Sequence, residues 1–109
     1  MAQLHSVSET DNGRTLQARV GDVIYVRLAE NPTTGYRWIV LPGAESVLPL
    51  RNDDFQQDVS GGIGSGGVRS FRFEVIDLGT AQLELVLRPE WEPASSAQKQ
   101  YRLTVVVSV

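Results

Sequence analysis

The stretch "SFRFEVIDLGTAQLELVL", residues 70–87, holds two runs in which apolar and polar side chains alternate, separated by the turn signal Leu78-Gly79. A strand places successive side chains on opposite faces, so a period of two predicts strands with one buried face. The side chains predicted to face inward are Phe71, Phe73 and Val75 in the first run, and Ala81, Leu83, Leu85 and Leu87 in the second.

The same alternation recurs in three further runs, residues 15–20, 21–28 and 100–109. In the first of these runs the predicted inward set is Leu16, Ala18 and Val20. In the second, Ile24, Val26 and Leu28 lie on the face opposite Val23, Tyr25 and Arg27, and in the third a single apolar face holds Tyr101, Leu103, Val105, Val107 and Val109. A fourth run, residues 46–58, is less regular, and its Pro49 favours a sheet edge or a bend.

The sequence shows no sustained helical pattern, and turn signals such as Asn12-Gly13, Gly21-Asp22 and Pro42-Gly43 separate the runs. About seven short strands in one domain, residues 1–109, predict an all-β, immunoglobulin-like antiparallel β-sandwich. A small closed barrel is the alternative.

Composition excludes several classes of function. The chain has no cysteine, which rules out thiol catalysis and disulfides, and its sole histidine, His5, is predicted to be an ordinary surface residue without metal-ligand spacing. We therefore expect neither a metal nor another cofactor. The formal charge of −3 is spread without a basic stripe, which argues against nucleic acid and anionic membranes as partners.

Neither a membrane-spanning apolar stretch nor a signal peptide is visible, since the N-terminus "MAQLHSVSE" lacks a charged head and an apolar core. Localisation stays open on this basis. The chain would be periplasmic or secreted if a leader had been removed, and cytoplasmic otherwise. A monomer is expected, because no long apolar stripe is left over.

Three loops carry more unusual residues than scaffolding needs. The first loop, residues 31–36, reads "NPTTGY"; its Asx-turn former, fixed proline φ, two stiff threonines and one glycine indicate a single rigid shape. A well-made turn without a functional role is the alternative.

The second loop, residues 61–68, has five glycines within seven residues and is either a flexible connection or a backbone platform for a partner. It lacks the Lys-Ser/Thr pair and the following helix of a phosphate-binding loop. The third loop, residues 88–93, reads "RPEWEP", and its Trp91 either folds back over the sandwich or is presented as a contact anchor. In a sandwich, loops after alternate strands gather at one end, so the three could form one surface.

Taken together, the loops resemble the three motifs of the chagasin-type inhibitors of cysteine peptidases: N-P-T-T-G-aromatic, G-x-G-G and R-P-W, in that order. The matching residues are Asn31, Pro32, Thr33, Thr34, Gly35 and Tyr36; Gly64, Ser65, Gly66 and Gly67; and Arg88, Pro89 and Trp91. One departure is Glu90, which stands between Pro89 and Trp91, so the resemblance does not fix where the indole points.

The resemblance implies a protein that is not an enzyme but reversibly inhibits papain-like cysteine peptidases. It implies that Thr33, Thr34 and Gly35 enter the active-site cleft while Asn31, Pro32 and Tyr36 hold the tip in shape. It further implies that the second loop flanks the cleft on one side and the third loop on the other. An immunoglobulin-like module that recognises another protein or a glycan with the same loops is the alternative function.

Overall fold

A computed structural model of the chain describes residues 2–57, 66–89, 91–92 and 97–109. Within these residues the chain forms strands joined by turns and two short 3-10 helices, Glu9–Asp11 and Pro32–Thr34. The strands are β1 (Leu4–Val7), β2 (Thr15–Arg19), β3 (Val23–Glu30), β4 (Tyr36–Val40), β5 (Leu50–Gln57), β6 (Gly67–Glu74), β7 (Gly79–Pro89) and β8 (Lys99–Ser108).

The strands form two four-stranded sheets, ordered β1-β3-β6-β5 and β2-β8-β7-β4, which confirms the all-β sandwich. The expected count of about seven strands was close, whereas the expectation of purely antiparallel pairing was wrong at two strand pairs. Eight strands are present among the described residues, and β1 pairs in parallel with β3 while β2 pairs in parallel with β8. The chain passes from β1 in the first sheet to β2 in the second and back to β3 in the first. The sequence did not reveal the parallel pairs, because side chains alternate in the same way in parallel and antiparallel strands.

The core lies between the sheets and is built from the alternating side chains. Ile24, Val26 and Leu28 of β3 are fully buried, and most other predicted inward residues are buried with them. Two predicted positions were wrong: Val20 and Val109 are exposed, because each follows the last residue of its strand. The run with Pro49 is confirmed as an edge, since β5 borders the first sheet with an irregular register after Leu50.

All three unusual loops leave the sandwich at the same end. Glu30, the last residue of β3, is paired with Gly67 at the start of β6, and Tyr36 at the start of β4 is paired with Pro89 at the end of β7. The first loop joins β3 to β4 and so crosses from one sheet to the other.

The opposite end is closed around a buried carboxylate, Asp22. Its Oδ2 lies 2.8 Å from His5 Nε2 and accepts the Arg19 N–H at 3.0 Å, while Oδ1 accepts the Gln3 N–H at 2.9 Å. The expectation for His5 was therefore wrong: its side chain is largely buried, because parallel pairing of β1 with β3 brings it onto Asp22. Burial acts to raise the pKa of Asp22, but the hydrogen bonds outweigh it and hold the pKa below the usual 3.8.

We expect Asp22→Asn to lower the free energy of unfolding at pH 7 by about 1–3 kcal/mol, because buried partners lose their acceptor. Since folding lowers this pKa, the carboxylate stabilises the fold above pH 3.8 and loses that contribution as the pH falls through the lowered value. Urea unfolding at pH 7 and pH 3 measures both effects. Asp54→Asn, which changes an exposed carboxylate of β5, is the control, and equal losses in the two variants would contradict the prediction.

Candidate functional site

The first loop is held in one shape by its own polar groups. Asn31 Oδ1 accepts the Thr33 N–H at 3.1 Å and the Thr33 hydroxyl at 2.7 Å. The Thr34 hydroxyl donates to the Asn31 carbonyl at 2.7 Å and accepts the Tyr36 N–H at 3.3 Å. The backbone between these residues forms the 3-10 turn Pro32–Thr34, and the two threonines brace it from within although both are exposed.

Gly35 ends that turn and lies against the third loop. Its φ is +80°, in the left-handed region that favours glycine, and a Cβ built on it would lie 3.1 Å from Cη2 of Trp91. The indole is therefore close to the tip of the first loop, while most of its surface, 76%, is exposed. This contact places Trp91 on the same surface as the first motif, despite the extra residue before it.

The end of the second loop also touches the first. Gly66 is buried, and a Cβ on it would lie 3.0 Å from the Glu30 carbonyl oxygen and 3.2 Å from Asn31 Cα. Gly67 is still more confined, because a Cβ there would lie 2.0 Å from the Gln56 carbonyl oxygen. Both glycines are thus required by close packing within the molecule. Gly64 and Ser65 of the same motif lie outside the described residues.

Backbone carbonyls organise the third loop. Arg88 Nη1 donates to the Pro89 carbonyl at 3.3 Å and also to the Glu92 carbonyl, and the Glu92 N–H donates to Pro89 at 3.1 Å. Arg88 is therefore directed into its own loop, which it holds in a turn that carries Trp91. Glu90 and Pro93 lie outside the described residues.

A buried ion pair lies beneath the first loop. Glu30 has a side-chain exposure of 1%, and its Oε2 accepts from Arg69 Nε at 3.0 Å and Nη2 at 2.9 Å. Its Oε1 accepts the Trp38 N–H at 2.7 Å, and the Trp38 indole donates to the Ala29 carbonyl at 2.9 Å. Neither Glu30 nor Arg69 belongs to the three motifs, and the pair was not predicted from the sequence. The period of two in β3 indicates the burial of Glu30, because this residue lies on the same strand face as Ile24, Val26 and Leu28.

Asp53 is a second, more exposed carboxylate that pairs with Arg69. Arg69 Nη1 donates to Asp53 Oδ1 at 3.0 Å, its guanidinium lies 5.2 Å from the Phe55 ring centre, and Arg37 Nη2 lies 3.6 Å from Asp53 Oδ2. Burial alone would lower the pKa of Arg69, but its hydrogen bonds to Glu30 and Asp53 and their charges raise it. Arg69 therefore stays charged and compensates the buried Glu30.

We use the name three-loop end for the group made up of the first loop, Gly66, Gly67, Arg88, Pro89, Trp91 and Glu92, of which Gly66 and Pro89 are buried. Within the described part of the chain, no cluster of three His, Cys, Asp or Glu side chains could hold a metal ion. No helix found there is long and apolar enough to cross a membrane. His5 pairs with Asp22 at the far end of the sandwich, so it cannot serve as a base here. Contacts within the molecule therefore preform the three-loop end, and Thr33, Thr34 and Trp91 are exposed there.

Comparison with known proteins places these features in one family. Residues 17–105 match the family described as Chagasin family peptidase inhibitor I42. Chagasin of Trypanosoma cruzi is 31% identical over 102 residues, which cover 89% of this chain and 92% of that protein. Amoebiasin-2 of Entamoeba histolytica is 26% identical over 107 residues, covering 97% and 87% respectively. The crystal structure of the cysteine protease inhibitor EhICP2 from Entamoeba histolytica aligns with a TM-score of 0.84 at 21% identity, covering 98% and 97%. The family match spans all three motifs.

We expect Gly67→Ala to destabilise the protein by at least about 1–3 kcal/mol, because the added methyl can be accommodated only if the β5 backbone moves. Urea unfolding monitored by tryptophan fluorescence measures the loss. Gly21→Ala is the control, since its φ of +98° strains an alanine but its Cβ would meet nothing within 4 Å. A loss at Gly67 no larger than that at Gly21 would refute the steric explanation.

Proposed function

Because this chain belongs to the chagasin family of peptidase inhibitors, we propose that it inhibits papain-like cysteine peptidases by covering their active-site cleft with the three-loop end. The family consists of inhibitors, so the chain is not itself an enzyme. The single observation that carries this mechanism is the convergence of the motifs: Gly66 packs against Asn31, and Trp91 lies against Gly35.

The first loop acts as a wedge. The exposed Thr33 and Thr34, together with Gly35, enter the cleft near the catalytic cysteine and histidine, while Asn31, Pro32 and Tyr36 keep the tip in shape. Since the hydroxyls and the Asn31 side chain are already bonded within the loop, little conformational entropy is lost on binding. This preorganisation favours tight association without a large interface.

The same turn protects the inhibitor from cleavage. The Asn31 carbonyl accepts the Thr34 N–H at 3.2 Å, and the Pro32 carbonyl accepts the Gly35 N–H at 3.1 Å. Cleavage requires a peptide carbonyl aligned with both the thiolate and the oxyanion donors. The Asn31 and Pro32 carbonyls are already bonded inside the turn, so neither reaches that geometry.

The flanking loops have unequal roles. Arg88, Pro89 and Trp91 support one side of the wedge, and the exposed indole supplies an apolar anchor for the enzyme surface. We assign the remaining residues of the second motif, Gly64, Ser65 and Gly67, to contact with the enzyme on the other side, as the resemblance of the motifs implies. Gly66 is buried against Asn31, so we assign it to supporting the wedge from inside the inhibitor.

The alternative, an immunoglobulin-like module that recognises another protein or a glycan, is not favoured, because the family match covers the three motifs and the strands between them. A monomer suffices for the proposed mechanism, since one three-loop end fills one cleft.

We expect the purified chain to inhibit papain and a lysosomal-type cathepsin reversibly in steady-state assays. Mass spectrometry of the mixtures should then show an intact inhibitor. Trypsin, a serine peptidase, is the control and should keep its activity. The proposal would be refuted if neither cysteine peptidase were inhibited, or if the chain were cleaved as a substrate.

We expect Trp91→Ala to weaken inhibition of papain by about 2 kcal/mol, roughly thirtyfold, because a large exposed anchor is lost. The thermal unfolding midpoint should stay within a few degrees, since the indole is mostly exposed. Leu78→Ala, which truncates a half-exposed apolar side chain at the opposite end, is the matched control and should leave inhibition unchanged. An unaltered inhibition constant for Trp91→Ala would show that the third loop does not contact the enzyme.

A further inference from the structure

The base of the first loop, where Ala29 and Glu30 at the end of β3 meet Trp38 of β4, is unusual, and we call it the neck. In an ordinary hairpin the two strands that flank a loop are neighbours in one sheet, so backbone hydrogen bonds hold the loop at its base. Here β3 lies in the first sheet and β4 in the second. The internal bonds of the loop define its shape, but they do not define its direction relative to the rest of the protein.

Two hydrogen bonds cross this neck, and Trp38 of β4 is the donor in both. Glu30, directly before the loop, accepts the backbone N–H of Trp38 through Oε1 at 2.7 Å. The Trp38 indole N–H in turn donates to the carbonyl of Ala29 at 2.9 Å. Each bond joins the end of β3 to β4, so together they replace the missing backbone ladder.

The orientation of Glu30 depends on Arg69. The guanidinium donates two hydrogen bonds to Oε2, which leaves Oε1 directed at Trp38. Arg69 is itself held by Asp53 at 3.0 Å and stacks over Phe55. A buried carboxylate without this partner would carry a large desolvation penalty, so the ion pair is what permits a charged acceptor at the neck.

We propose that Glu30 and Arg69 are positioning residues for inhibition, which hold the neck of the first loop so that its tip enters the peptidase cleft in the correct direction. This inference rests on the proposed function. The pair lies beneath the loop, and its effect reaches the enzyme through the orientation of Thr33, Thr34 and Gly35. A small rotation at the neck displaces the tip, and misplacement by about 1 Å can cost about a hundredfold in an active site.

Glu30→Gln tests the pair with little change in volume. The amide has one acceptor oxygen where the carboxylate has two, so either Arg69 or the Trp38 N–H loses its partner. We expect inhibition of papain to weaken by about tenfold or more. We also expect the Trp38 indole N–H, followed by NMR hydrogen exchange in the absence of any peptidase, to exchange faster than in the wild type. Arg69→Lys, which keeps the charge but cannot donate the same paired bonds, should shift both readouts in the same direction.

Glu74→Gln is the matched control. Glu74 lies at the other end of β6 and pairs with Arg51 at 3.0 Å, but both side chains are about half exposed. Its loss should change neither inhibition nor exchange of the Trp38 indole, because exposed ion pairs contribute little. Urea unfolding of every variant shows whether the chain is folded under assay conditions.

A folded Glu30→Gln variant that inhibits like the wild type would overturn the proposal. So would weaker inhibition with unchanged indole exchange, because the effect would then not arise at the neck. If Glu30→Gln does not fold, Arg69→Lys is judged by the same two criteria. Failure of the wild type to inhibit would refute the proposed function instead, and the exchange measurement would still report whether the pair holds the neck.

Discussion

The carboxylate of Glu30 joins the two sheets at the place where the chain crosses between them. One oxygen accepts from Arg69 in the first sheet and the other from the Trp38 backbone in the second. Burial of a charge is costly, and here the cost is offset because both oxygens are bonded and the charge has a partner. The direction of the first loop, and with it the shape of the three-loop end, depends on this arrangement.

The remaining contacts of that end stiffen what the ion pair orients. Asn31 and the two threonines lock the turn from within, and the loop is flanked by Gly66 on one side and Trp91 on the other. Little of this surface needs to be ordered on contact with an enzyme, which suits an inhibitor that must bind tightly and resist cleavage. At the far end, Asp22 and His5 close the sandwich, so contacts that contribute mainly to stability lie away from the proposed contact surface.

Much of the fold was predictable because burial follows local periodicity. The alternation in residues 70–87 identified the buried faces of β6 and β7, and the core confirms them. The errors arose where alternation carries no information. It cannot tell parallel from antiparallel edge strands, and it does not mark where a strand ends, which is why Val20 and Val109 were misplaced. His5 was misjudged because its partner, Asp22, is 17 residues away in the turn before β3.

The sequence by itself determined the strand faces, the order of the three motifs and the local stiffness of "NPTTGY", because each depends on residues close together in the chain. Only the tertiary structure decided which distant residues support that loop. Glu30 and Arg69 are 39 positions apart, and Gly67 must be glycine because of a carbonyl on a neighbouring strand. Such contacts depend on how strands pair and how the sheets stack, and those long-range relations are absent from any short pattern of residues.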